Sequence, residues 1–346
     1  MLLKDAIASV SEGNDLKRET AEAVARSLAD ASVPGEHKKA ILLALAEKGE
    51  VADEVAAFAS VFQDLATNPG LSGTEGAIDV VGTGGDRSGS FNISTTSAII
   101  LAASGVPVVK HGNRSVTSKC GSADFLEALG INLKAPQTLR QRSFDELNFV
   151  FLFAPAFHPA FKEVVPIRKE LAAEGKRTIF NLLGPLINPG RPDHLLMGVF
   201  SASWVSPLAE ALGSLKVKSG LVVNSAIGEG GVMDEFTCAG ANRVCGVGTL
   251  NHLNGTISPV DAGLSPCAFD DLKGGDVAQN LKMLDALLDG SAPQGLIDTI
   301  CLNVGAALWI TDRADDLSAG VKQANEILQS GVVSKWLERV KAVYQK

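Results

Sequence analysis

The sequence predicts an α/β protein in which a block of helices precedes a layer of mostly parallel strands. Three observations carry that expectation. Residues 1–70 show helical periodicity and nothing else. Beyond them, short β-branched runs alternate with helical stretches, the pattern of a sheet covered by helices. The 346 residues, at about 150 per domain, are enough for two compact units, and a content of 46% hydrophobic with 20% charged residues is that of a globular core rather than a disordered chain. With aromatics at only 5%, the core has to be aliphatic and alanine-rich.

Taken in order, Leu16, Val24 and Leu28 share one face of a first long helical segment. Pro34 and Gly35 separate it from a helix through Ile41 and Ala46, and Val51, Val55, Phe58, Phe62 and Leu65 recur at helical spacing in the next. Asn68, Pro69 and Gly70 end the block. Runs at 78–81, 106–109, 149–153, 195–200 and 221–223 then read as buried strands. From residue 270 helices return, through 281–288 and through Ala324, Ile327 and Leu328. No internal repeat or low-complexity tract interrupts the pattern.

A net charge of −8 argues against generic attraction to nucleic acid or an anionic membrane. The longest near-apolar stretch, 98–109, is too short to span a bilayer and is broken by Ser104, Gly105 and Pro107. Residues 1–20 carry Lys4, Asp5, Glu12 and Asp15 and no secretory signal. Five cysteines, with no CxxC pair and no histidine at metal-ligand spacing, suit a reducing compartment better than a disulfide framework or structural zinc. A soluble, cytoplasmic protein is expected.

Two strand-to-loop junctions concentrate the chemistry. Gly82, Thr83, Gly84, Gly85 and Asp86 follow the strand ending at Val81, and three glycines in four residues let backbone N–H groups approach a phosphate. Ser90, Asn92, Ile93, Ser94 and Thr95 then open an apolar helix whose start offers unpaired donors to an anion. A plain capped strand–turn–helix link reads the same way, and the spacing matches neither the dinucleotide fingerprint nor the Walker loop. The second junction runs from Val109 into Lys110, His111, Gly112, Asn113 and Arg114 and on to Ser118 and Lys119, with Ser122 placed to cap the helix through Leu129. Cations and hydroxyls in such density are poor core material, so this loop is expected at a ligand crevice or on a solvated surface.

These residues carry a resemblance. GTGGD at 82–86, FNIST at 91–95, KHGNR at 110–114 with SKCGSAD after it, FLFAP at 151–155 with His158, and RTIFNLLGPLINP at 177–189 occur in the order and approximate spacing of the anthranilate phosphoribosyltransferase family, one of the phosphoribosyltransferases sharing the nucleoside phosphorylase-like fold. The sequence resembles that family from about residue 5 to its C-terminus, with the specific motifs confined to 79–200 and the pair Asp234 and Glu235.

The resemblance implies a small helical domain, residues 1–70 joined by helices from about 161–190, and a larger α/β domain, 71–346, with the active site in the cleft between them and a homodimer formed through the helical domain. It implies Mg²⁺-dependent transfer of the phosphoribosyl group from 5-phosphoribosyl 1-pyrophosphate (PRPP) to the amine of anthranilate in tryptophan biosynthesis, giving N-(5-phosphoribosyl)anthranilate and pyrophosphate. Carried over by motif, Gly82, Gly85, Asp86, Ser90, Asn92, Ile93, Ser94 and Thr95 would hold PRPP together with Lys110, Asn113, Arg114, Ser118 and Ser122. Lys110 would serve the leaving group. Gly82, His111, Asn113 and Arg168 would meet anthranilate, Arg168 binding its carboxylate and His111 orienting the amine. Ser94, Asp234 and Glu235 would hold Mg²⁺.

Three departures from the family pattern stand out. Asn224 and Ser225 lead into a lengthened, glycine-rich 228–231 segment before Asp234; the stretch 172–176 is about three residues longer than usual; and Cys120 replaces a common serine. They leave two alternatives, a paralogue acting on another aromatic amine and a non-catalytic relative binding nucleic acid. A nucleoside phosphorylase of related fold fits the motifs less well.

Overall fold

A computed structural model describes residues 3–114 and 119–345. Four helices come first, α1 (Leu3–Ser11), α2 (Arg18–Ala29), α3 (Gly35–Lys48) and α4 (Ala52–Asp64). The apolar stripe read from the sequence is the buried face of α4, where Val55, Phe58 and Phe62 are inaccessible. Glu54 fixes the start of that helix: its buried carboxylate accepts the Leu16 and Val51 N–H groups and pairs with Lys48. A buried charge so fully partnered is tolerated.

The chain then alternates: β1 (Ile78–Gly82), α5 (Ile93–Ala103), β2 (Val108–Gly112), α6 (Ser122–Ala128), α7 (Gln137–Leu147) and β3 (Phe149–Phe153). Three short helices cross back, α8 (Ala154–Phe157), α9 (Val165–Ala173) and α10 (Phe180–Leu183). They lead to β4 (His194–Gly198), α11 (Val205–Ser214), β5 (Ser219–Ile227), β6 (Gly231–Met233), β7 (Asn242–Gly248) and β8 (Asn254–Ile257). Four helices close the chain, α12 (Val277–Asp289), α13 (Gln294–Ile310), α14 (Leu317–Gln329) and α15 (Val332–Tyr344). Asp276 and Asp316 cap α12 and α14 by accepting the Gln279 and Ala319 N–H groups.

The strands form one sheet in the order β3-β2-β1-β4-β5-β7-β8, with β6 paired to β5. Strands β1 to β5 are mutually parallel, whereas β6, β7 and β8 add antiparallel. One face packs on α5, α13 and α15, with Phe149 against Trp336. The other face, through Leu195, Met197 and Val222, shares a single core with α1–α4, α9 and α11. Among the described residues no helix is long and apolar enough to cross a membrane.

Two expectations need correction. Strand β2 starts at Val108, after Pro107, and does not stop at Val109: Lys110, His111 and Gly112 continue it in register with Phe151, Leu152 and Phe153 of β3. Lys110 and His111, expected in a loop, are therefore 1% and 3% exposed. The second concerns α6, whose N-cap is Gly121, with Ser122 one position inside. Asp124 takes the capping task by accepting the Gly121 N–H, and Ser122 Oγ donates to the Asn113 carbonyl instead.

Candidate active site

The order β3-β2-β1-β4-β5 reverses direction at β1, and a crevice at the carboxyl ends of strands flanking such a point is the usual ligand position in an open α/β sheet. The glycine loop leaves β1 there, beside the end of β4. Thr83 ties the two together, its N–H donating to the Gly198 carbonyl and its Oγ1 accepting the Phe200 N–H. Gly84 and Gly85 take φ of 69° and 80°, which L side chains rarely adopt.

Asp234 sits between the two strand ends. Its Oδ2 accepts the Gly84 N–H at 2.6 Å. A Cβ on Gly82 would lie 2.3 Å from that carboxylate, and one on Gly198 would lie 1.4 Å from the Asp234 carbonyl oxygen, so both strands must end in glycine. The lengthened 228–231 segment is the turn of a hairpin: β5 runs to Ile227, a single 3-10 turn reverses it, and β6 returns with Ser225 opposite Met233. The departures at Asn224 and Ser225 support the same construction. Asn224 donates to the Val199 carbonyl and Ser225 Oγ to the Glu235 carbonyl. The carboxylates are thus delivered by an ordered hairpin rather than by a free glycine loop.

Glu235 Oε1 accepts the Ser94 N–H at 2.8 Å at the start of α5, which brings two of the expected metal positions together and sets Asp234 beside them. Burial, with the charge of Asp86 added, pushes Asp234 up to about 7. Burial and the Asp234 charge push Glu235 well above the ordinary carboxylate range. Glu235 Oε2 is buried without a partner. Hard oxygen donors that repel one another and leave one oxygen unsatisfied are what a divalent cation relieves, so these residues fit Mg²⁺. Among the described residues no group of three or more His, Cys, Asp or Glu is gathered to hold a metal ion by protein acids and rings alone.

The other expected positions divide. Asn92 is at the N-cap of α5, but its side chain donates to the Cys120 carbonyl and accepts from Asn280, so it braces the junction with α12. Ile93 and Thr95 are buried, leaving backbone as what they can present to a ligand. Ser90 bridges to Lys273 at the loop edge. Arg114 is committed to Asp124 and Glu127, and Asn113 lies exposed beside it. Ser118 lies outside the described residues.

Lys110 donates Nζ to the Val80 carbonyl beneath the crevice, where Asp79 and Glu235 offset the burial that lowers its proton affinity. It therefore balances the carboxylates from below, from a buried position rather than from an exposed loop. Asp79 and Asn188 were not legible as site residues. Asp79 accepts the His111 N–H and the Asn188 amide, which also donates to Val109, so the pair locks β1 to β2 under the site.

On the other wall His111 Nε2 lies 3.1 Å from His158 Nε2. Burial lowers His111 to about 3 and His158 to about 4, so both rings are neutral near pH 7. Phe161 stacks edge-on against His158 and Phe180, and the Arg168 guanidinium lies 5.8 and 5.3 Å over the Phe161 and Phe180 rings. Arg168 has no carboxylate partner among the described residues. The long 172–176 stretch finishes α9, with the Lys176 N–H donating to Leu171 and Glu170 and Glu174 held by Lys39 of α3.

Fold and site together define a glycosyl transferase. The helical bundle domain of that family matches residues 4–66 and its a/b domain matches residues 74–333. The anthranilate phosphoribosyltransferase of Deinococcus radiodurans is 39% identical over 339 residues, covering 98% of both chains. That of Bradyrhizobium sp. is 41% identical over 341 residues, 99% of this chain and 98% of the relative. The crystal structure of the Thermus thermophilus enzyme superposes with a TM-score of 0.89 at 41% identity, over 99% of this chain and all of that one. A Saccharomyces cerevisiae structure in complex with PRPP and Mg shares the fold at a TM-score of 0.79 and 24% identity, over 95% and 92% of the two chains. This chain belongs to the anthranilate phosphoribosyltransferase family.

Proposed function

We infer that this chain transfers the phosphoribosyl group of PRPP to the amino nitrogen of anthranilate, releasing pyrophosphate, with Mg²⁺ as cofactor. The observation that carries the reading is Asp234, buried between Gly82 and Gly198 at the switch point of the sheet, with Glu235, half-buried, bound to the start of α5 beside it. Ser94, Asp234 and Glu235 would hold Mg²⁺, which when bound supplies charge neutralisation to a departing pyrophosphate. The glycine loop offers backbone N–H groups to the phosphates. Lys110 keeps the carboxylate cluster electrostatically tolerable from below.

Anthranilate needs orientation more than activation, because its aromatic amine is neutral near pH 7. Arg168 supplies a planar, unpaired guanidinium for the acceptor carboxylate, held by two phenyl faces. His111 and His158, both neutral, present a rigid polar wall and no strong base. Electrostatic stabilisation of the separating charges is then the main source of acceleration.

The same reading divides the chain at 70/71, returns 161–190 to the helical part, makes that part the homodimer contact and places the enzyme in the cytoplasm. The core that α1–α4 share with Val164, Leu171 and Phe180 supports the return of 161–190 to the helical part, and five free cysteines are in keeping with the cytoplasm. The activity is tested by following anthranilate fluorescence on adding PRPP and Mg²⁺. Consumption that requires all three supports the reading; a folded chain that leaves anthranilate untouched contradicts it.

A further inference from the structure

The cations that the sequence assigns to the phosphates are largely engaged elsewhere. Lys110 is buried on Val80 and Arg114 is ion-paired twice on α6, while Arg168 belongs to the acceptor wall. PRPP nevertheless brings several negative charges to a crevice already holding Asp86, Asp234 and Glu235, in a chain of net charge −8. Charge balance calls for cations at the rim of the glycine loop.

Two are there. Arg177 follows the long 172–176 stretch, donates Nη2 to the Gly85 carbonyl at 2.8 Å and lies flat on Phe200, its carbon 3.8 Å from the ring centroid. Phe200 is itself fixed to the loop through Thr83. The guanidinium is therefore held rigidly by one carbonyl and one ring face, leaving most of its N–H donors without a protein acceptor. Arg87 stands two residues beyond Gly85, exposed, at a φ of 60°. A non-glycine residue in that region is held at a cost, and such cost is often tolerated where the side chain is used. Burial lowers the proton affinity of Arg177 and the nearby Arg87 charge lowers it further, and neither residue has an acidic partner among the described residues. Two guanidinium groups at one phosphate-binding loop, one bonded to its Gly85 carbonyl and one two residues beyond, are suited to an anion bound there.

We propose that Arg87 and Arg177 form a two-guanidinium clamp over the glycine loop that binds the pyrophosphate portion of PRPP. The proposal rests on the phosphoribosyltransferase reading above and adds to it binding roles for Arg87 and for Arg177, which heads the 177–189 motif but was given no role by it.

The test compares the wild-type chain with Arg87→Gly, Arg177→Ala and Arg177→Lys in steady-state kinetics, thermal melting and calorimetry with Mg²⁺ and inorganic pyrophosphate. Loss of a charged hydrogen bond weakens binding by about tenfold or more, so each neutral variant should raise the KM for PRPP and weaken pyrophosphate to that extent. The KM for anthranilate should stay unchanged, and Arg177→Lys should fall between wild type and Ala. Because glycine is at ease at positive φ, Arg87→Gly should melt no lower than wild type, which separates lost charge from lost folding. The KM for PRPP should also depend less steeply on salt in the variants. An active wild type whose variants keep PRPP KM and pyrophosphate affinity within twofold overturns the clamp alone, as does equal weakening of both substrates. A wild type that neither turns over nor binds pyrophosphate overturns the phosphoribosyl reading and the clamp with it.

Discussion

An alanine at position 198 would set its Cβ against the Asp234 carbonyl at a separation no folded chain tolerates, so the hairpin carrying Asp234 and Glu235 would have to move. Gly198→Ala should cost about 1 to 3 kcal/mol of stability, as forced overpacking does, and lower turnover more than Gly184→Ala, whose Cβ meets nothing. Melting and activity measured side by side check this, and equal behaviour of the two variants would count against the crevice geometry. Arg168→Ala should raise the KM for anthranilate about tenfold or more, since a charged hydrogen bond is lost, while leaving the KM for PRPP near wild type. Parallel weakening of both substrates would mean that the guanidinium holds Phe161 and Phe180 rather than substrate. Position 79 shows why single residues were hard to read. Asp79 is one acid in an apolar strand, and its meaning depends on Lys110, brought by pairing of β1 with β2, and on Asn188, brought by the segment before β4.

Among the elements, α1–α4 and the parallel strands were legible because buried faces impose periods of 3.6 and runs of β-branched residues. Strands β6, β7 and β8 were not, since Gly231, Gly246, Gly248 and Gly255 interrupt them and they are held by hairpin pairing rather than by an apolar run. The end of β2 was hidden because Lys110 and His111 read as solvated, and their burial is made tolerable by partners distant in sequence, Val80, Asp79 and Glu235 for Lys110 and His158 for His111. The glycine loop, the start of α5 and the acid pair were visible as motifs, yet the hairpin that joins them was not. Asp234→Asn with Glu235→Gln preserves the hairpin's shape and removes its charge. Turnover should fall steeply and recover in part at high Mg²⁺, with melting unchanged or raised because two mutually repelling acids are gone. Normal activity across a magnesium titration would show that the hairpin carries no metal role.

For the whole molecule, the raised carboxylates and the lowered histidines act on stability in opposite directions. Asp79, at about 6, and Asp234, at about 7, bind protons more tightly folded than unfolded. The stability they contribute is complete below about pH 4 and is lost as pH rises through those values. His111 and His158 are held neutral, so their contribution is present above about pH 6.5 and lost as pH falls towards 4 and 3. If Asp234 holds Mg²⁺ as proposed, the ion has to displace its proton, so the rise in melting temperature that Mg²⁺ causes should be small at pH 5.5 and larger at pH 8. A rise independent of pH would separate the metal from this carboxylate. The central claim, that the crevice between β1 and β4 receives PRPP through the Asp234 and Glu235 pair, is tested most directly by calorimetry with PRPP in the absence of anthranilate. Wild type should release heat on binding PRPP when Mg²⁺ is present and much less when it is not, and the Asn/Gln double variant should lose the Mg²⁺-dependent part. A folded wild type that binds no PRPP, or a double variant that binds it identically, would contradict the claim.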